Sequence, residues 1–238
     1  MILALDVGNT RLKWGFAAAL DAGLQAVGAI GLDEIERLDQ LWRGSPTPSR
    51  IGVASVAAAA VNEQVSAALA RFGVAPRWLA AQASACGVTN RYDNPAQLGV
   101  DRFAALVAAR ARHAGECLVV MAGTATTVDI LAADGSFSGG LILPGLELMK
   151  RALAANTAGL PLEPGRFRDE PRNTADAIHS GCLHAQSGAI ERMRARRGAA
   201  AVCFVSGGAA AAIVPLLAFP TRTIEHLVLE GVARLASA

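Results

Sequence analysis

The chain has 238 residues, 53% of them hydrophobic, and 22 basic against 20 acidic side chains give it a formal net charge of +2. This length and composition allow a large hydrophobic core, in one domain or in two. The near-neutral balance provides no broad field to attract nucleic acid or an anionic membrane, so we expect neither as a partner. A small-molecule ligand is favoured.

The cysteines and the first apolar run predict a cytoplasmic protein. The run after Met1 ends at Asp6 after four residues, which is too short for a secretory signal. The uncharged stretch 198–220 is interrupted by a glycine turn and by Pro215, so a buried strand, a turn and a helix explain it better than a membrane span. The four cysteines have no C-x-x-C spacing and three lie in apolar runs, which favours reduced, packed thiols: Cys86, Cys117, Cys182 and Cys203.

The first half of the chain has the pattern of a three-strand meander followed by alternating helices and strands. The predicted strands of the meander run from Ile2 to Asp6, over 12–17 and over 24–30. The later predicted elements are an amphipathic helix over 32–42, a strand over 51–56, a helix over 61–72 that ends at Gly73, and a strand over 77–80.

The turn after the first strand, Asp6-Val-Gly-Asn-Thr10, has the composition of a phosphate-binding loop. Gly8 lets the backbone bend and approach a ligand closely, because it has no side chain. Asn9 and Thr10 add short polar donors, and Lys13 adds a mobile positive charge. Asp6, at the carboxyl end of the strand, suits a divalent metal held through water beside phosphates. A plain hairpin is the alternative, because these residue types also favour turns.

The second half repeats this order of elements. Gly8 and Gly123 are separated by nearly the same length of chain as the two following hairpin glycines, Gly23 and Gly135. This spacing predicts an internal duplication, with two similar halves facing one another across a ligand-binding cleft. The repeated elements are a strand over 117–122, a polar turn over 123–127, a returning strand over 128–132 and a third strand that continues through Leu143.

A third glycine turn, 206–208, follows a predicted strand over 202–205. Since all three turns lie at strand ends, we expect them to open on the same cleft. The turns at Gly8 and Gly123 would hold a triphosphate from either side, while the third, without side chains, would leave room for a flat purine.

The segment from Tyr92 to Arg102 precedes a predicted helix over 103–112. It places Asp101 at the amino end of that helix, where the helix dipole stabilises a carboxylate that can accept a proton from an alcohol. A helix cap is the alternative role for Asp101. Arg102 suits an anionic substrate group, with a surface ion pair as its alternative, and Tyr92 is otherwise a ring packed in a loop.

Two further helices are predicted in the second half. Thr174 is placed to cap a long helix that ends before Gly198, and a final helix begins at about Glu225. We interpret the arginines near the end of the long helix as solvated rather than as a nucleic-acid site, because no aromatic residues are interleaved with them: Arg192, Arg194, Arg196 and Arg197.

The order and spacing of these motifs resemble those of the type III pantothenate kinases, a family within the superfamily of actin-like ATPases and sugar kinases. The resemblance spans nearly the whole chain. It rests on the motifs at residues 6–11, 92–102 and 123–129, and on the pairs Gly139-Gly140 and Pro144-Gly145.

The resemblance implies an α/β fold with two duplicated ribonuclease-H-like domains, 1–115 and 116–238, each a mixed five-stranded sheet flanked by helices, with a cleft between. It implies ATP-dependent phosphorylation of pantothenate to 4'-phosphopantothenate, the first step of coenzyme A biosynthesis, by a homodimer whose pantothenate site is completed across the interface. Two alternatives stay open: another small-molecule kinase of the same superfamily, or a nucleotide-binding regulatory accessory protein.

The family's functional residues, carried over position by position, imply that Asp101 is the general base. Mg²⁺ would accompany ATP at Asp6, and Asp129 is a second candidate metal ligand. The implied ATP-binding residues are Asp6, Val7, Gly8, Asn9, Thr10, Arg11, Leu12, Lys13 and Thr124. The implied pantothenate-binding residues are Tyr92, Gly99, Val100, Asp101, Arg102 and Thr174.

Met121 departs from the family pattern. Many members carry an aspartate at this position, two residues before the Gly-Thr pair, where it helps to bind potassium or ammonium. A thioether is a poor ligand for a hard cation. We therefore expect a weakened site for K⁺ or NH₄⁺ in this chain, with Asp129 as a candidate to compensate.

Overall fold

The structure is a computed structural model that describes residues 1–20, 22–157, 159–160, 163–198 and 200–238. The strands are β1 Ile2–Val7, β2 Arg11–Ala17, β3 Leu24–Gly31, β4 Arg50–Ser55, β5 Pro76–Trp78, β6 Ser84–Ala85, β7 Val88–Asn90, β8 Cys117–Ala122, β9 Ala125–Leu131, β10 Ser136–Pro144, β11 Val202–Ser206 and β12 Arg222–Thr223. The α-helices are α1 Leu38–Leu41, α2 Ala59–Leu69, α3 Val100–Arg112, α4 Leu146–Asn156, α5 Thr174–Ala195, α6 Ala210–Ile213 and α7 Leu227–Ser237. Short 3-10 helices cover Leu32–Arg37, Ala70–Phe72, Pro95–Gln97 and Val214–Leu216.

The chain forms two compact units. The first contains Met1–Ala114, Gly135–Ser138 and His226–Ala238, and the second contains Gly115–Asp134 and Gly139–Glu225. The predicted division into 1–115 and 116–238 therefore differs from the structure at Gly135–Ser138 and at His226–Ala238, the segment that contains α7. The physical reason is that the apolar face of α7 packs on β1, β4 and α3, all of the first unit.

A five-stranded sheet in the order β3-β2-β1-β4-β5 forms the centre of the first unit. Strand β1 pairs antiparallel with β2 and parallel with β4. Large side chains from the meander and from the helical segments that follow it are buried in its core, among them Phe16, Trp42 and Leu69. Helices α3 and α7 pack closely at Gly231, where a Cβ would lie 1.8 Å from the carbonyl oxygen of Ala104.

The second unit repeats this topology. Strands β10-β9-β8-β11-β12 are neighbours in that order, β8 is antiparallel to β9, and β11 is parallel to β8 and to β12. The predicted duplication is confirmed in this strand order. The expectation of five strands per sheet was wrong for the second sheet, which has seven because β7 pairs with the first residues of β10 and β6 pairs with β7.

Three predicted boundaries were also wrong. The helix over 32–42 is a 3-10 helix followed by the single turn α1. The polar turn over 123–127 is only Gly123-Thr124, because the β-branched threonines after it favour the strand, and Thr126 pairs with Ala122. The helix predicted from Phe103 begins at Val100. Within the described ranges, no helix is long and apolar enough to span a membrane.

Candidate active site

The first glycine turn joins β1 to β2. The N–H of Gly8 donates a hydrogen bond to the carbonyl oxygen of Arg11 at 3.0 Å, and this bond closes the turn. Asn9, Thr10 and Arg11 are exposed, whereas the side chains of Val7 and Leu12 are fully buried in the core. Val7 and Leu12 can therefore contact a ligand only through their backbone atoms. The turn therefore forms the hairpin that was the alternative prediction. It also presents polar groups to solvent.

Asp6 is a largely buried carboxylate beside this turn. Its side chain is 14% exposed, and the Lys13 Nζ lies 4.0 Å from its Oδ2 because the two residues are cross-strand partners. Burial raises the pKa of Asp6 to about 6; the charge of Lys13 lowers it, and the negative charge of Asp101 raises it. Because burial disfavours the ionised form of Asp6, a bound cation would stabilise that form. Asp6 is therefore well suited to bind a cation.

Asp101 lies in the first turn of α3. Gly99 is the extended residue before the helix, so the alternative role of Asp101 as the cap is wrong. The Asp101 Oδ1 accepts a hydrogen bond from the backbone N–H of Arg102 at 2.8 Å. The side chain of Val100 is buried, and the backbone of Gly99 lies directly against the carboxylate, since a Cβ at this position would stand 2.5 Å from the Asp101 Oδ1.

Arg102 is buried rather than paired at the surface, with a relative exposure of 5%. Its Nη1 donates to the Tyr92 hydroxyl at 3.0 Å, and its guanidinium carbon lies 5.8 Å from the centre of the Tyr92 ring and 5.7 Å from that of Phe137. These distances are typical of cation–π contacts. Tyr92 is therefore both a packed ring, 5.2 Å from Phe137, and a partner of the arginine.

Phe137 was not predicted as a site residue, because its place beside Arg102 depends on a long-range strand pairing. Phe137 on β10 is the register partner of Asn90 on β7, and the N–H of Arg91 donates to its carbonyl oxygen at 2.9 Å. The Asn90 Oδ1 also accepts from the N–H of Tyr92 at 3.1 Å. No local motif surrounds Phe137 that would have marked it.

In the second unit, the turn Gly123-Thr124 joins β8 to β9. Thr124 is exposed, and its carbonyl oxygen accepts a hydrogen bond from the N–H of Gly145 at 2.9 Å. The third glycine turn lies next to this one, because a Cβ on Gly207 would lie 2.4 Å from the carbonyl oxygen of Ala122, the residue before Gly123. The second and third predicted turns therefore lie side by side at the ends of β8 and β11.

Asp129 and Met121 lie on the opposite face of the second sheet from the core of this unit. Asp129 is fully buried, and a Cβ on Gly140 would lie 2.0 Å from its Oδ1, so the backbone of Gly140 lies directly against this carboxylate. Met121 is the register partner of Thr127 and of Ser206. Its thioether provides no charge at this position.

Thr174 is the first residue of α5, and the prediction that it caps the helix was wrong by one residue. Asn173 is the cap: its Oδ1 accepts a hydrogen bond from the N–H of Asp176 at 2.8 Å. Asparagine is a better cap than threonine, and here it leaves Thr174 exposed. Thr174 lines an apolar groove of about 350 Å³ between α4 and α5, together with Met149, Leu153, Leu160, Ala177, Ile178, Gly181 and Cys182.

The described residues contain no cluster of three or more histidine, cysteine, aspartate or glutamate side chains that could hold a metal by themselves. Mg²⁺ does not require one, because it is usually held by one or two carboxylates, water and the phosphates of a substrate. Asp6 fits that requirement: it is a buried carboxylate with a raised pKa beside a polar turn.

The duplicated topology is shared with solved structures, and this likeness defines the fold. A protein of Sinorhizobium meliloti assigned as a 2-dehydro-3-deoxygalactonokinase superposes with a TM-score of 0.62 at 15% identity, covering 100% of this chain and 98% of its own. A protein of Campylobacter jejuni assigned as a Baf family transcriptional activator gives a TM-score of 0.61 at 19% identity, covering 96% and 94%. The fold is that of the actin-like ATPases and sugar kinases.

The family follows from sequence comparison. The family model described as type III pantothenate kinase matches residues 2–196. Proteins named type III pantothenate kinase are 52% identical in Aromatoleum aromaticum, covering 99% of this chain and 98% of theirs, and 50% identical in an Azoarcus species, covering 100% and 91%. The chain belongs to the type III pantothenate kinase family. It is a kinase that phosphorylates pantothenate with ATP in coenzyme A biosynthesis.

Proposed function

We propose that the first turn and Thr124 bind ATP, and that Asp101 is the general base for transfer of its γ-phosphate to the primary hydroxyl of pantothenate. The observation that carries the proposal is the placement of two carboxylates in the first unit: Asp6 is a largely buried side chain on β1, 4.0 Å from Lys13, and Asp101 lies in the first turn of α3. The charge of Asp101 also contributes to the raised pKa of Asp6. A strand end and a helix start thus bring a metal-binding candidate and a proton acceptor into one region of the first unit.

ATP binding in this proposal uses the residues from Asp6 to Lys13. The turn closed by Gly8 offers the exposed polar groups of Asn9 and Thr10, and Lys13 offers a positive charge that is 41% exposed. Asp6 would hold Mg²⁺, which, when bound, neutralises charge that develops on the phosphates. Asp129, fully buried, is the less suitable ligand.

Asp101 moves the proton. Its carboxylate takes the proton from the pantothenate hydroxyl as that oxygen forms a bond to the γ-phosphorus. The bond from phosphorus to the bridging oxygen of ADP breaks, and ADP leaves with the electron pair. The hydrogen bond from the N–H of Arg102 to the Oδ1 of Asp101 orients the carboxylate for this step.

Arg102 is the proposed partner of the pantothenate carboxylate, the one anionic group of that substrate. The Tyr92 hydroxyl and the rings of Tyr92 and Phe137 fix the guanidinium before substrate arrives. A rigid, partly desolvated arginine loses little entropy on binding and forms strong charge-assisted hydrogen bonds. Gly99 and Val100 would add backbone contacts.

We propose that the protein is a homodimer in which the partner subunit supplies Thr174 to the pantothenate site. The family resemblance implies this arrangement, and the exposed apolar groove beside Thr174 supports it. Leu153 is 37% exposed there although it is apolar. Large exposed apolar patches often mark protein interfaces.

Two further proposals concern the cations and the compartment. We propose that Met121 weakens the monovalent-cation site, since it lies between Thr127 and Ser206 without a charge.

We also propose that the protein is cytoplasmic. The four free cysteines, three of them buried, support a reducing compartment.

An ATP-consumption assay on the purified protein tests the proposed function. Pantothenate should stimulate ATP consumption, whereas a panel of sugars and hydroxy acids should leave it at the background rate. Stimulation by a sugar, with none by pantothenate, would indicate another kinase of the superfamily. Nucleotide binding without turnover on any substrate would indicate an accessory protein.

A further inference from the structure

The side chain of Gln186 is a fully buried amide on α5 and is not one of the proposed ATP-binding or pantothenate-binding residues. Its Nε2 donates a hydrogen bond to the carbonyl oxygen of Pro144 at 2.6 Å, and it lies 3.3 Å from the Sδ of Met149. Burying an amide is costly unless it makes hydrogen bonds. The bond to Pro144 offsets part of this cost, while the Oε1 of Gln186 has no hydrogen-bond partner among the described residues.

The carbonyl group of Pro144 and the N–H of Gly145 belong to the same peptide unit. That N–H donates to the carbonyl oxygen of Thr124 at 2.9 Å. One peptide is thus held on one side by Gln186 and on the other by the turn that carries Thr124. Hydrogen bonds in such a chain polarise and strengthen one another in a buried environment.

Gly145 also lies in direct contact with the turn. A Cβ at this position would stand 2.2 Å from the carbonyl oxygen of Gly123 and 2.5 Å from that of Thr124. The Pro144-Gly145 peptide therefore sets the position of the Gly123-Thr124 turn, and any movement of the peptide is transmitted to it.

We propose that Gln186 is a positioning residue for nucleotide binding: through the Pro144-Gly145 peptide it holds the turn that presents Thr124 to ATP. The inference rests on the proposed role of Thr124. Helix α5 has 22 residues and packs on β9, so it provides a rigid support from which the amide reaches the turn.

The test replaces the amide by an apolar side chain of similar length, Gln186→Met. We expect the KM for ATP to rise about tenfold, the usual effect of losing one buried hydrogen bond, because the turn loses its support. The kcat and the KM for pantothenate should change less than twofold. A purely structural role would lower the melting temperature without this selective effect on ATP.

The matched control is Ser187→Ala on the same helix. Ser187 is also buried, but among the described residues its hydroxyl bonds only to the carbonyl oxygen of His184, one turn earlier. All kinetic constants should therefore stay within twofold of those of the natural protein. An equal rise in the KM for ATP in this control would contradict a specific role for Gln186.

A parallel Thr124→Val variant separates this inference from the proposed function. If Thr124→Val leaves the KM for ATP unchanged, the proposed ATP contact is wrong, and the inference falls with it. If Thr124→Val raises that KM while folded Gln186→Met leaves it unchanged, the inference alone is overturned. Should Gln186→Met fail to fold, Gln186→Asn tests the same contact, because it keeps a buried amide that is one methylene too short to reach the Pro144 carbonyl oxygen. A raised KM for ATP in that variant supports the inference, and an unchanged one overturns it.

Discussion

Gly99 lies directly against the carboxylate of Asp101, so that a Cβ at position 99 would stand 2.5 Å from the Oδ1. The backbone of Gly99 has φ −56° and ψ 133°, which alanine adopts without strain. Gly99→Ala should therefore fold normally and displace the Asp101 carboxylate. Since a misplacement of about 1 Å costs about 100-fold in rate, we expect kcat to fall by about that factor.

A control for this variant is Gly188→Ala on α5, where an added Cβ meets nothing within 4 Å beyond its chain neighbours and the nearby backbone of its own helix. Its kcat should equal that of the natural protein, with stability equal or slightly higher. Steady-state kinetics and thermal melts of both variants provide the comparison. An unchanged kcat in folded Gly99→Ala would show that the carboxylate does not need its present position.

The buried carboxylate of Asp6 makes stability depend on pH. Its pKa is about 6 in the folded protein and 3.8 in the unfolded chain, so the folded state binds the proton more tightly. The contribution of Asp6 to the free energy of unfolding is therefore most favourable below about pH 4, and it is lost as the pH rises through about 6. The full loss in the free energy of unfolding is about 3 kcal/mol.

Asp6→Asn removes this titration. In the absence of metal and nucleotide, the variant should gain stability relative to the natural protein as the pH is raised from 4 to 7, while its binding of metal-nucleotide weakens. Thermal melts across this range measure the difference between the two proteins. A difference that stays constant with pH would contradict the assigned burial of Asp6.

The local patterns in the sequence predicted much of the fold. The spacing of Gly8, Gly123 and the hairpin glycines after them predicted a duplication that appears in the strand order of both sheets. The C-terminal helix was assigned to the wrong unit, because its partners β1 and β4 are remote in sequence and hydrophobic periodicity does not identify them. Thr174 was taken for the cap because Asn173, one residue earlier, offers the same chemistry.

The site was predictable where its residues are contiguous and not where they depend on packing. Asp6 and Asp101 follow from motifs, but the burial that raises the pKa of Asp6 follows from the sheet. Phe137 and Gln186 carry no motif. Their positions beside Arg102 and Pro144 follow from strand register and helix packing.

Met121 should reduce the dependence of turnover on potassium. Turnover measured in matched chloride salts of potassium, ammonium, sodium and a bulky quaternary amine should vary little in the natural protein. Met121→Asp should introduce activation by potassium, because a carboxylate oxygen is a better ligand for a hard cation than a thioether. Strong activation of the natural protein by potassium, unaffected by the substitution, would show that this position is not required for the cation.

The proposed dimer predicts complementation between two inactive variants. Asp101→Asn lacks the base and Thr174→Val lacks the hydroxyl that the partner supplies, so a mixed dimer contains one intact site. Mixing the two after subunit exchange should therefore restore activity that neither has alone. Light scattering should give twice the chain mass of 24.4 kDa. A monomer with full activity would contradict the dimer.

The most direct test of the account is the turnover of Asp101→Asn at saturating ATP and pantothenate. Asparagine keeps the size and the hydrogen bond to the N–H of Arg102 but cannot accept the substrate proton. We expect kcat to fall by about 10²- to 10⁴-fold, the usual contribution of a general base, with ATP affinity unchanged. A kcat close to that of the natural protein would contradict the role of Asp101 as the base.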